Sequence, residues 1–146
     1  MSKKMMQSLL HMILWSVVAL IFIFVFFSRG TIENWGDNIN KTIMIAALFL
    51  FGFGGDFILR LVFKNKKNKI IKDERDDYIS MKSMAISGIS TFIYFFIVAI
   101  SLYTKYEKAG CVPVAWVWFI AYSLVMVVNI TGALSSSVYY WKSEME

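Results

Sequence analysis

The stretch "SMKSMAISGISTFIYFFIVAISLY", residues 80–103, decides the fold. It carries one charge, Lys82, near its start and then runs apolar or hydroxyl-bearing to its end. A helix needs about 20 predominantly apolar residues to cross the hydrocarbon core of a bilayer, so these residues are expected to span one. Three further runs meet the same requirement, at 9–27, 43–63 and 112–137. The 146 residues are 58% hydrophobic and 17% aromatic with a single Pro, a composition too apolar for a soluble domain of this size. The expected fold class is therefore an all-α membrane protein, a four-transmembrane-helix bundle forming one domain over 1–146, with its one sizeable loop at 64–78. Lys3 and Lys4 precede the first run as in a signal peptide. Its apolar core is too long for one, however, and no small-residue cleavage site follows Phe27, so it is expected to be retained.

Basic residues near membrane spans stay on the cytoplasmic side. With both termini inside, that side holds Lys3, Lys4, Arg60, Lys64, Lys66, Lys67, Lys69, Lys72, Arg75, Lys82 and Lys142, against Arg29, Lys41, Lys105 and Lys108 outside. The expected localisation is the cell membrane, multi-pass, N-in and C-in. The net charge of +5 then points to anionic headgroups on the cytoplasmic side rather than to nucleic acid. A lone cysteine, Cys111, forms no internal disulfide, and a lone histidine excludes a zinc cage of several His or Cys. Nothing in the sequence asks for a cofactor.

On a helical wheel of about 100° per residue, Lys82 shares a face with Ile86, Ile89, Ile93 and Ile100, suited to lipid. Ser80, Ser83, Ser87, Thr91 and Tyr94 occupy the opposite face, where neighbouring helices can hydrogen-bond them. The second run contains "FGFGGD", in which Gly52, Gly54 and Gly55 are suited to close helix approach, within the chain or in a homodimer. Asp56 follows at a depth where a charge must face inward and be paired, and Arg60, four residues on, can reach it. On the fourth run Asn129 and Ser136 share a face with Tyr122, Gly132 and Tyr140; on the first, His11 shares one with Trp15, Val18 and Phe22.

His11, Asp56, Arg60, Asn129 and Ser136 are thus the candidates for a ligand or ion site, all in the inner half. The expectation is an inner vestibule, closed outside by aromatic packing around Phe95, Phe96, Trp116 and Trp118. At the cytoplasmic surface, "KDERDDYI", residues 72–79, precedes the third span. Its acids suit the positive end of a helix dipole, and Arg75 and Lys82 can snorkel to phosphates. Asp73, Asp76 and Asp77 are spaced to reach one Mg²⁺.

Asp73-Glu74-Arg75, then Ile79, then Lys82-Ser83 resembles the D-E-R-x-x-x-I-x-x-K-A/S signature of small four-helix membrane proteins of bacteria and archaea that have no assigned activity. The ending "SSSVYYWK" of the fourth run is similar to their aromatic, basic finish. The resemblance covers the second half of the chain. Such proteins are often encoded beside small repressors or transporters, so it implies a signalling, immunity or accessory role, with Asp73, Glu74, Arg75, Ile79 and Lys82 forming a docking surface or headgroup clamp.

Three functions compete. The first is a non-enzymatic regulator, immunity factor or transporter accessory that binds a cytoplasmic or membrane protein through its charged loop. The second is a small proton-coupled transporter using Asp56, although the first span carries no acid. The third is an enzyme acting on lipid phosphates, with metal at Asp73, Asp76 and Asp77, although no nucleophile or phosphate loop accompanies those acids.

Overall fold

The computed structural model describes residues 3–28, 39–63 and 74–145. It contains four helices: α1 (Lys3–Phe27), α2 (Ile39–Phe63), α3 (Glu74–Tyr106) and α4 (Val114–Met145). All four are long and apolar enough to cross a membrane, as the hydropathy pattern requires. The chain is accordingly a multi-pass membrane protein in its composition and element lengths.

The elements run past the expected spans. Hydropathy marks only the residues that sit in hydrocarbon, whereas a helix continues as long as its backbone bonds are made. So α3 already begins at Glu74, and residues 74–78 of the expected loop form its first turn; α4 likewise continues beyond 137 to Met145. The first turn of α3 carries Glu74, Asp76 and Asp77, which favours the positive end of its dipole. The turn between α3 and α4 closes through Gly110, whose φ of 68° lies in the left-handed region where the missing Cβ removes strain.

The helices pack as an opened-out bundle. α1 and α4 form the centre, α2 lies against α1, and α3 lies against α4, with no comparable interface between α2 and α3. The core follows from this order: Trp15, Val18, Phe22 and Phe26 of α1 are fully buried, with Ile45 and Phe49 of α2 and Met126 of α4 beside them. Gly52 sits 3.3 Å, measured from an added Cβ, from the Trp15 ring, and Gly55 lies over Leu14. These two glycines are helix-packing positions, while Gly54 faces open space. The α3–α4 interface uses small hydroxyl residues. Ser87 Oγ donates to the Val128 carbonyl at 2.7 Å, Ser135 Oγ to that of Ser83 at 3.4 Å, and Gly132 lies against Ser87.

Of the hydroxyl stripe on α3, Ser83 and Ser87 are buried, Thr91 and Tyr94 are partly so, and Ser80 is exposed. Its opposite face behaves as expected, with Lys82, Ile89, Ile93 and Ile100 exposed. Leu20, Phe24, Leu50, Phe92 and Val114 are also among the large apolar side chains that point outward. An apolar surface of this extent requires lipid or another apolar partner.

One end of the bundle is closed by rings. Phe22, Phe26 and Phe119 are in mutual contact, with Phe26 and Phe119 centroids 4.7 Å apart, Trp116 packs on Phe26 and Phe119, and Tyr122 joins Phe22 and Phe49. Trp116 belongs to this plug as expected; Phe95, Phe96 and Trp118 do not. Phe95 and Phe96 are exposed on the outer side of α3, and Trp118, also exposed, stacks on Tyr122 from outside. Two further contacts fasten this end. Trp116 Nε1 donates to the Tyr106 hydroxyl at 2.8 Å, and the buried Lys41 donates to the Ser28 carbonyl, where a cation suits the C-terminal end of α1.

Candidate functional site

The opposite end gathers the polar side chains. Asp56 and Arg60 stand one turn apart on α2, and Arg60 Nε donates to Asp56 Oδ2 at 2.9 Å. The other carboxylate oxygen, Oδ1, lies 2.9 Å from His11 Nδ1 of α1. The far ring nitrogen, Nε2, lies 3.3 Å from Asn129 Oδ1 of α4. Asn129 Nδ2 in turn donates to the Val125 carbonyl at 2.8 Å, one turn back on its own helix.

Four of the five residues expected to form an ion or ligand site are therefore joined in one chain, Arg60–Asp56–His11–Asn129, across three helices. Ser136, two turns beyond Asn129 on α4, forms no hydrogen bond with it. The burial is graded. The Asp56 side chain is 14% exposed, that of His11 21% and that of Arg60 69%, so the guanidinium closes the chain on the outside.

The position of α1 between α2 and α4 makes this chain possible. His11 projects from the face that also carries Trp15, whose ring stacks against the imidazole with centroids 6.5 Å apart. Trp15 is fully buried and its Nε1 has no hydrogen-bond partner, an orphan donor one turn below the histidine. The side chain belongs to the site, and the shared face of His11 and Trp15 is the signal in the sequence that ties them. Ser8, one turn before His11, adds a further α1–α4 link by donating to the Ala133 carbonyl at 2.8 Å.

A second polar group lies nearer the tips of the helices. Tyr140 of α4 donates to Asp76 Oδ1 of α3 at 3.0 Å, and Lys4 of α1 approaches Asp76 Oδ2 at 3.9 Å. The start of α3 is thus tied to both central helices through one carboxylate. Glu74, Arg75, Asp77 and Lys82 are exposed around it, and Lys82 lies over the Tyr78 ring at 5.5 Å.

The Mg²⁺ arrangement does not gain support. Asp76 is committed to Tyr140 and Lys4, Asp73 lies outside the described residues, and among the described residues no three His, Cys, Asp or Glu converge on a point. His11, Asp56, Arg60 and Asn129, expected to line an inner vestibule, are in polar contact with one another. One open volume of about 600 Å³ is an apolar furrow along α3, lined by residues such as Ala85, Gly88, Phe92, Phe96 and Ile100. It has no charged wall and is remote in sequence and chemistry from the His11 chain.

No protein-family model, curated protein or solved structure matches the chain. The functional reading rests on the residues and their geometry.

Proposed function

We propose that the chain is a non-enzymatic integral membrane protein of a regulatory or accessory kind, and that its charged end faces the cytoplasm and docks a protein partner. The observation that carries this reading is the concentration of polar structure at one end. There Asp76 links α3 to Tyr140 of α4 and to Lys4 of α1, and this fixes the helix start that displays Glu74, Arg75 and Asp77. A surface held by three helices loses less entropy on binding than a loose loop does. The resemblance of Asp73-Glu74-Arg75, Ile79 and Lys82 to the D-E-R signature of small four-helix membrane proteins points the same way.

A transport path would need polar groups or a broken helix near the midplane. At the far end the rings of Phe22, Phe26, Phe119 and Trp116 instead pack against one another. The test is co-purification from native membranes of the original chain and of the triple variant Asp73→Asn, Glu74→Gln, Arg75→Gln, with thermal unfolding of both to show an intact fold. A stoichiometric partner lost from the variant is the expected result. A partner retained by the variant, or none with either chain, overturns the reading.

A further inference from the structure

The hydrogen count of the polar chain carries a conclusion of its own, independent of any docking partner. The Val125 carbonyl has no hydrogen to give, so its 2.8 Å contact with Asn129 is made by the Nδ2 side of the amide. That turns Oδ1, which only accepts, toward His11, so the 3.3 Å contact with Nε2 is a hydrogen bond only when the ring carries a hydrogen there. On the other side Arg60 Nε always donates, so Asp56 Oδ2 is an acceptor. Asp56 Oδ1 then faces Nδ1 across 2.9 Å, a distance that nitrogen and oxygen lone pairs do not adopt without a hydrogen between them.

The two contacts are hydrogen bonds at the same time only with two hydrogens, whereas a neutral imidazole and a carboxylate bring one. We propose that His11, Asp56 and Asn129 form a binding site for a single proton, and that this proton clamps α2 and α4 onto α1. The partial exposure of His11 leaves it accessible from the charged end. When the proton leaves, one of the two gaps becomes a lone-pair contact. If Nδ1 keeps the remaining hydrogen the link to Asn129 fails for as long as its amide holds the Val125 carbonyl, and if Nε2 keeps it the link to Asp56 fails.

Around the ring, α2 presents Asp56 with Arg60 behind it, α4 presents Asn129, and α1 itself presents the Trp15 ring. Asp76 of α3 contacts Lys4, seven residues before His11 on α1, or about 10 Å along its axis at 1.5 Å per residue. The release is local to the charged end. The Trp15, Phe49 and Phe53 rings and the Gly52 contact continue to hold α2 below it.

His11 is the one histidine of the chain, so ¹⁵N-histidine labelling reports a single ring. The full chain in lipid nanodiscs, titrated from about pH 5 to about pH 9 across the range of imidazole, should lose one proton from the site in one transition. Spin labels at Val62→Cys of α2 and Val138→Cys of α4, both exposed positions, on a Cys111→Ser background, should move apart through the same transition. Asp56→Asn supplies an amide that can donate to Nδ1 and satisfies the neutral ring. Its transition and its change in label separation should both vanish while the helices stay docked. A ring with one hydrogen throughout the range, a transition that Asp56→Asn leaves in place, or a label separation constant through the transition overturns the proposal.

Discussion

Replacing Asp56 by alanine removes an acceptor shared by two partners, His11 and Arg60, and the structure ranks them. The His11 contact at 2.9 Å joins two helices between side chains that are 21% and 14% exposed. The Arg60 contact has the same length, but it lies within one helix and the guanidinium is 69% exposed. Hydrogen bonds to charged groups are worth about 1.5–3 kcal/mol in soluble proteins. Cross-helix polar contacts in membranes have measured values near 0.6 and at most about 1.7 kcal/mol. A value of about 1–2 kcal/mol follows for the coupling of His11 to Asp56. The exposed i,i+4 pair falls in the range of about 0.3–0.5 kcal/mol. The assay is a pair of double-mutant cycles, Asp56→Ala with His11→Ala and Asp56→Ala with Arg60→Ala, read by equilibrium unfolding in mixed detergent at mildly acidic pH. An Arg60 coupling equal to or larger than that of His11 would refute the reasoning, because Asp56 would then belong to its own helix and not to the chain between helices.

Gly52→Val places a branched side chain where an added Cβ already lies 3.3 Å from Trp15, a ring that is fully buried and cannot yield. Overpacking of this kind costs about 1–3 kcal/mol, whereas Gly54→Val, with nothing within 4 Å of its Cβ, should be neutral within error in the same unfolding assay. Tyr140→Phe deletes the hydroxyl that holds Asp76 and should cost about 1 kcal/mol. Hydrogen exchange in the first turns of α3 should rise while the centre of α4 is unaffected; uniform protection would contradict the role given to that contact.

The helices were legible because each apolar run exceeds the span requirement, and the polar residues were legible because an acid, an amide or an imidazole at depth is costly unless partnered. Asp56–Arg60 was fully readable, since an i,i+4 pair needs only one helix. The meeting of His11 with Asp56 and Asn129 was not, because periodicity assigns a residue to a face and says nothing of which helix lies opposite. That needed α1 placed between α2 and α4. The same gap explains Phe95 and Phe96. A ring facing lipid and a ring closing the bundle look alike on a wheel, and only the outer position of α3 separates them from Phe119. Asp76 differs from its neighbours for a similar reason, since Tyr140 lies 64 residues away in the chain.

The central claim, that the charged end is the cytoplasmic end, is tested most directly at Cys111. This free and exposed thiol lies in the turn between α3 and α4, at the end opposite the His11 chain. Intact cells expressing the chain would be treated with a membrane-impermeant maleimide, with Cys111→Ser as the blank and disrupted cells as the full-labelling reference. Labelling in intact cells close to the reference is the expected result. Labelling only after disruption would put the aromatic end inside and contradict the account.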